Sequence, residues 1–420
     1  MNLALFGGEK IRTQPFPKHP IIGEEEKKSV LEVLDSGNLS TFLAQPGEFF
    51  LGGKKIKEFE NNFAEYVGTK FAVSFNSASS ALHAAVVSVG VKPQNEVIVP
   101  PYTFTSTATC VLWHNAIPVF SDVQNDIFCL DPNLLQKNIT SNTKALIPVH
   151  LFGHPAEMDG IMEIAKKNNL KVIEDCAQAP GATYKGKNVG TIGDCGVFSF
   201  QETKNIAVGE GGMLVTDDEN IASIARMVRN HGETILDQQK ERTYKTEFLG
   251  WGYRLTELEA AIGIPQLKKL NAYNLERRKL AAYVTKAIDK IDGLEHIKKE
   301  YVEHSYYIYA LKYDEEIIGI PRDQFVKALN AEGIPFGKGY VKPLYLNPIY
   351  HDAKPYALKN FSGSVNYDKG LCPVTERLYE KELILTMILR PPLTIDDAND
   401  LISAIQKIIS NKDEFTNIGN

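Results

Sequence analysis

Between residues 57 and 225 the chain repeats one pattern: a short apolar run without polar alternation, then a longer amphipathic stretch. The runs are Phe71-Ala-Val-Ser-Phe75, Glu96-Val-Ile-Val99, Ile117-Pro-Val-Phe120, Ala145-Leu-Ile-Pro-Val149, Lys171-Val-Ile-Glu174, Gly196-Val-Phe-Ser-Phe200 and Gly212-Met-Leu-Val215. A strand with one wet face alternates. A run that does not alternate suits a strand covered on both faces, as in a parallel sheet flanked by helices. Intervening segments such as Ala81 to Val89 and Met158 to Asn168 read as helices, so the pattern predicts βαβ units and an α/β fold with a mostly parallel sheet.

A helical stretch from Thr256 to Ile288 follows. Beyond Leu294 the sequence offers a strand (His304 to Leu311), a helix (Arg322 to Glu332) and a final helix (Ile395 to Ile409), which together read as a smaller α+β unit. The expected division is a large domain over 1–275 and a small C-terminal domain over 276–420. No low-complexity linker separates the two, so close packing is expected.

Bulk properties exclude several classes. Net charge is −6 with acid and base interleaved, and no basic stripe points to nucleic acid. No apolar stretch reaches the roughly 18 residues of a membrane span. Met1 to Pro15 carries Glu9, Lys10 and Arg12 and lacks a signal-peptide core, so cytoplasm is the expected location. Cys110, Cys129, Cys176, Cys195 and Cys372 form no C-x-x-C pair, which argues against both zinc and a disulfide framework, and no metal is expected.

Four places carry chemistry. Asp175 ends an apolar run, where a helix cap is the ordinary reading. At the carboxyl edge of a parallel sheet it can instead hold a cofactor's ring nitrogen protonated. Lys204 lies in Phe198-Ser-Phe-Gln-Glu-Thr-Lys-Asn205, before the turn Gly209-Glu-Gly-Gly212. A lysine after a strand is usually solvated; one in an apolar setting can form a Schiff base. Asn76-Ser-Ala-Ser-Ser-Ala-Leu82 places small residues where a helix opens, which is either a plain cap or a phosphate cradle. Pro100-Pro-Tyr-Thr-Phe-Thr105 puts an aromatic after a strand, suited to the core or to stacking on a flat ring.

The order and spacing of these places resemble the DegT/DnrJ/EryC1/StrS sugar aminotransferases, of the aspartate-aminotransferase fold (fold type I). Glu174-Asp-Cys-Ala-Gln-Ala179 is similar to the family's E-D-x-A-Q-A, and Ser199 to Gly212 to its S-F-x-x-T-K-N-x-x-x-G-E-G-G. Arg229-Asn-His-Gly232 and Leu249 to Gly263 extend the resemblance, which runs from about Gly7 to about Ile409. It implies pyridoxal 5'-phosphate as cofactor. It further implies Lys204 as the Schiff-base lysine, Asp175 on the pyridine nitrogen, Gln178 near the phenolic oxygen and Phe104 on the ring. Ala78, Ser79 and Ser199 would hold the phosphate. The implied partners are an amino donor such as glutamate, a keto sugar (usually nucleotide-linked) and a second copy of the chain, in a homodimer with shared sites.

Two positions depart from the family pattern. Gly252 stands where the family's G-x-N-x-R has an Asn contributed to the phosphate of the neighbouring subunit, so the resemblance does not carry that contact over; Tyr345 ends a Y-x-x-P-x-H block that otherwise has His, which predicts a different substrate pocket. The opening Leu5 to Thr13 resembles the branch with ketocyclitol aminotransferases and aminohydroxybenzoate synthases, so an inosose-type acceptor is the alternative. A sugar dehydratase of the same family would carry His in place of Lys204. A non-catalytic regulator would not need Lys204, Asp175 and Gln178 together. His83, the run Lys240-Glu-Arg with Lys245, and the apolar face of the final helix read as structural.

Overall fold

The computed structural model describes residues 2–40, 42, 49–234, 245–296 and 298–419. Seven strands form the main sheet, in the order Phe71–Phe75, Gly212–Thr216, Cys195–Ser199, Lys171–Asp175, Thr143–Leu146, Glu96–Val99, Ile117–Phe120. The last five are parallel neighbour to neighbour. Gly212–Thr216 runs antiparallel to both of its neighbours. Gly212 therefore lies opposite Phe75 and Ser199, at the edge where the parallel strands end.

Both faces of this sheet are covered, which explains the unalternating runs. Ile173, Val197 and Leu214 pack into one core cluster, while Val172, Phe198 and Met213 enter clusters on the opposite side. Burying each such side chain contributes about 1.5–3 kcal/mol. The alternation also aims Ser199 away from Phe198 and Phe200, whose rings meet Phe63 at 5.0 and 5.3 Å.

A second sheet, wholly antiparallel, orders Leu294–Glu295, Tyr309–Tyr313, Leu383–Thr386 and Gly337–Lys338. The 32-residue helix Glu257–Ile288 connects the two regions. Thr256 and Glu259 form a reciprocal capping box at its start. Leu267 and Leu270 join the core beneath the main sheet, and Leu280, Val284 and Ile288 join the core of the small sheet. No helix among the described residues is long and apolar enough to cross a membrane.

Several expected boundaries move. The helix expected at Ala81 begins at Ala78, because the Ser77 hydroxyl caps it by accepting from Ser80 N. The strand expected from His304 begins at Tyr309. Tyr306 has φ +49°, outside any strand, and the amides of Ser305 and Ile308 bond to Gly153 and Phe152 instead. The small sheet gains three strands that were not read from sequence, two of them only two residues long. His83 is buried, as read, and the final helix Ile395–Ser410 lays Leu401, Ile405 and Ile408 into the core. Lys240, Glu241 and Arg242 lie outside the described residues; Lys245 is exposed and pairs with Glu247.

Candidate active site

The edge where the parallel strands end opens into a cavity of about 500 Å³. Ala78, Ser79, Phe104, Asp175, Gln178, Ser199 and Lys204 all line it. These residues come from four separate stretches and converge at the place where open α/β sheets bind ligands.

One wall is the start of the helix Ala78–Ser88. Among the described residues, no acceptor takes the amides of Ala78 or Ser79, the free donors of a first turn. Ser79 Oγ lies 2.6 Å from Ser106 Oγ. Behind them is Gly212. A Cβ there would fall 2.4 Å from the Ser77 carbonyl and 2.6 Å from Ala78 N, so only glycine lets the helix start so close to the strand. Unsatisfied amides at the positive end of a helix, with Ser199 beside them, suit a phosphate.

Asp175 is buried at the end of its strand. Its oxygens accept from Thr107 Oγ1 at 2.8 Å and Ala177 N at 3.1 Å. Burial pushes its pKa up, while Thr107, Ala177 and the charge of Lys204 pull it down. A cationic ring nitrogen placed here would restore the opposite charge that burial removes. Its neighbour Glu174 faces the other way and accepts from His150 Nε2 and the amides of Gly190, Ile192 and Gly193, at 2.7 to 3.0 Å. That carboxylate pins the following loop, and with every oxygen engaged the nearby His150 and Cys176 do not make it a metal site.

Lys204 enters the cavity with Nζ 4.0 Å above the ring of Tyr307. Its loop is anchored on both sides. His19 Nε2 lies 3.1 Å from the Lys204 carbonyl, and Asn205 Nδ2 donates to Asn274 Oδ1 at 2.9 Å and the Ser305 carbonyl at 2.8 Å. Gln178 is held between Phe152 N and Tyr340 Oη. Phe104 is 58% exposed, which sets aside the core reading and leaves its ring available to a flat ligand.

One finding corrects the sequence reading, and a second narrows it. Tyr345 does not shape this cavity. It is fully buried against Phe120, its hydroxyl donates to Glu376, and it accepts from Cys372 N, so the departure from His is a packing difference. Gly252 has no left-handed backbone, and the nearest atom to a Cβ there would be 3.6 Å away, so nothing in the fold requires glycine. Thr107, Tyr307, Tyr340, Asn205 and His19 were not singled out from sequence. Asn205 stood inside the Lys204 block and Tyr340 opens the Y-x-x-P-x-H block, whose last residue alone drew notice; Tyr307 lies far from Lys204 in the chain, and no local pattern marks it.

The DegT/DnrJ/EryC1/StrS aminotransferase family profile matches residues 20–406. GDP-perosamine synthase of Caulobacter vibrioides is 36% identical over 335 residues, 79% of this chain and 85% of that protein. A putative L-glutamine:3-amino-2,3-dideoxy-scyllo-inosose aminotransferase of Streptoalloteichus tenebrarius is 32% identical, over 98% of this chain and 99% of that protein. Among solved structures, a putative sugar aminotransferase of Streptococcus pneumoniae in its PMP form superposes with a TM-score of 0.81 at 26% identity, covering 97% of this chain and 100% of that one.

Proposed function

Because this chain belongs to the DegT/DnrJ/EryC1/StrS aminotransferase family and is a pyridoxal-phosphate-dependent aminotransferase, we propose that it moves an amino group from glutamate, or a similar amino acid, to a keto sugar carried on a nucleotide. The convergence of Lys204, Asp175 and the open amides of Ala78 and Ser79 on one cavity carries this reading. Similarity to GDP-perosamine synthase supports the nucleotide-linked acceptor. Similarity along nearly the whole chain to an inosose aminotransferase favours the second reading, a ketocyclitol acceptor.

The residues present fit pyridoxal phosphate. The Ala78 and Ser79 amides with Ser199 would hold its phosphate, Asp175 its ring nitrogen, Phe104 one ring face and Lys204 its aldehyde carbon. When bound, the cofactor supplies a ring that accepts the electron pair freed at the donor's α-carbon. The protein does the rest. Buried Asp175, fixed by Thr107, favours a charged ring nitrogen. Lys204 Nζ would hold and move the proton at the donor's α-carbon. Gln178, fixed by Phe152 N and Tyr340, presents a rigid amide beside the ring oxygen.

The reading extends to a homodimer. Trp113, Leu249, Trp251 and Tyr356 are large, apolar and exposed on one surface, with Trp113 and Trp251 edge to face at 6.4 Å. A twofold pair would cover that patch on both chains, with Gly250 to Arg254 reaching the partner's phosphate.

The deciding experiment has two steps. Glutamate should discharge the cofactor's absorbance band in the purified holoenzyme. The amino form should then be returned by one member of a panel of nucleotide-linked 3-keto sugars, 4-keto sugars and inososes. Return by inososes alone would transfer the assignment to the ketocyclitol acceptor; no discharge by any amino acid would refute both.

A further inference from the structure

Lys204 Nζ stands 4.0 Å above the centre of the Tyr307 ring, and both residues line the cavity. Asp175 and Glu210 are the carboxylates that line it with them. Among the described residues no carboxylate pairs with Lys204, and no acceptor takes a hydrogen bond from its Nζ. The ring face is therefore the partner that the fold gives this nitrogen.

The ring is held at both ends. Thr203, next to Lys204 in the chain, donates its hydroxyl to Gln201 Oε1 at 2.7 Å, which leaves Thr203 Oγ1 to accept from Tyr307 Oη at 3.0 Å. Ring and lysine are thus tied to one loop, and the phenol proton is committed to Thr203. At the backbone end, Phe152 and Tyr306 have φ of +61° and +49°. Gly153 packs so closely that a Cβ on it would lie 2.9 Å from Tyr306 N and 3.1 Å from Tyr307 N. The Ile308 amide bonds to the Phe152 carbonyl at 3.2 Å, and Arg277 Nη1 donates to the Tyr306 carbonyl at the same distance. Left-handed backbone is unfavourable for residues with side chains and persists where the surroundings fix it. Here it sets Tyr307 against the cavity.

A ring face attracts a cation and is indifferent to a neutral amine. Lys204 passes between those two states in the reaction. The C–H bond at the donor's α-carbon breaks, its electron pair stays with the carbon, and the proton forms a new N–H bond on Nζ. The ammonium so formed lies in a cavity, away from bulk water, where an unpaired charge is costly. We propose that Tyr307 is a catalytic residue whose ring face stabilises Lys204 as the ammonium formed when it takes the α-proton. The assignment rests on the aminotransferase reading of the cavity. The face, and not the hydroxyl, carries the role, because the hydroxyl is already engaged by Thr203.

The test compares Tyr307→Leu, which removes the ring, with Tyr307→Phe, which keeps it; Tyr307→Met replaces the first if it does not fold. The first readout needs no cofactor. Apoenzyme is acetylated at pH 8 with acetic anhydride beside a reference amine, and peptide mapping gives the rate at Lys204. Only the free amine reacts, so Tyr307→Leu should label about 2- to 30-fold faster than wild type, and Tyr307→Phe at nearly the wild-type rate. The gain should shrink as pH rises, because alkali frees the amine in both proteins. In the holoenzyme at saturating glutamate, discharge of the absorbance band should slow by a similar factor in Tyr307→Leu, with an α-deuterium isotope effect at least as large as in wild type. Equal labelling of Tyr307→Leu and wild type would overturn the proposal. So would a gain that is the same at every pH, which reports easier access alone, or a Tyr307→Phe as impaired as Tyr307→Leu, which would give the role to the hydroxyl. Failure of the wild-type holoenzyme to react with any amino acid would overturn the aminotransferase reading, while the labelling would still report the ring's hold on Lys204.

Discussion

Gly212→Ala isolates the phosphate cradle from the rest of the site. The new Cβ would stand 2.4 Å from the Ser77 carbonyl and 2.6 Å from Ala78 N. Non-bonded heavy atoms settle at about 3.5–4.0 Å, so something must yield by about 1 Å. The strand is paired on both sides, opposite Phe75 and opposite Ser199. The helix start therefore moves, taking the Ala78 and Ser79 amides with it. Overpacking of this size costs about 1–3 kcal/mol of stability. One hydrogen bond to a charged group is worth about 1.5–3 kcal/mol. Losing one such bond lowers cofactor affinity about 10- to 100-fold. The assay titrates apoenzyme with pyridoxal phosphate and, in parallel, with pyridoxal, which has no phosphate. Affinity for the first should fall by that factor, and affinity for the second should stay. A folded Gly212→Ala protein with unchanged pyridoxal phosphate affinity, or with equal loss for both ligands, would refute the reasoning.

Lys204→Ala should hold the cofactor only reversibly and lose transamination; borohydride reduction of wild type, followed by peptide mapping, should place the label on Lys204 and on no other lysine. Asp175→Asn should keep the cofactor but lose turnover by at least about 100-fold, because an amide cannot balance a charged ring nitrogen; wild-type kcat would remove Asp175 from that role. Gly252→Asn should fold with unchanged Tm, since the position has room, and should bind pyridoxal phosphate more tightly if the partner chain reaches the phosphate; unchanged affinity, or a fully active monomer by light scattering, would count against the shared site. Stability should fall on acidification. Burial first, and for His83 then the neighbouring His114, holds His83 and His154 neutral, each lowered from 6.5 to about 4. The unfolded chain binds those protons first, so stability is full above about pH 6.5 and is lost as pH falls toward 4, by up to about 3 kcal/mol for each ring. A Tm that does not change between pH 7 and pH 5 would show the two rings to be accessible.

The sheet and the residues that line the cavity around Lys204 were legible in the sequence because both rest on local pattern. Unalternating runs report two covered faces, and Ile173 beside Val172 shows how that happens residue by residue. Ser199 to Asn205 is contiguous, so Lys204 and its anchor could be read together. Pattern fails where the backbone leaves the common regions, as at Tyr306 with φ +49°. It also fails where strands are two residues long, as at Gly337–Lys338. Tyr307 meets Lys204 and Arg277 meets Tyr306 only through folding, and a one-dimensional period holds no trace of either contact. Tyr345 shows the reverse case: a departure from a motif that suggested chemistry and proved to be a buried hydroxyl bonded to Glu376.

The bridge from Asn205 to Asn274 bears on how such enzymes can be recombined. Asn274 sits near the middle of the helix Glu257–Ile288 and also donates to the Pro180 carbonyl. One side chain thus ties the Lys204 loop, the turn after Asp175 and a helix whose other half belongs to the C-terminal core. A chimera joined within a turn of Asn274 would place its seam in this strut and misalign the lysine even if both parents fold. A seam placed after Ile288 keeps the strut from one parent and lets the C-terminal region be exchanged as a cassette.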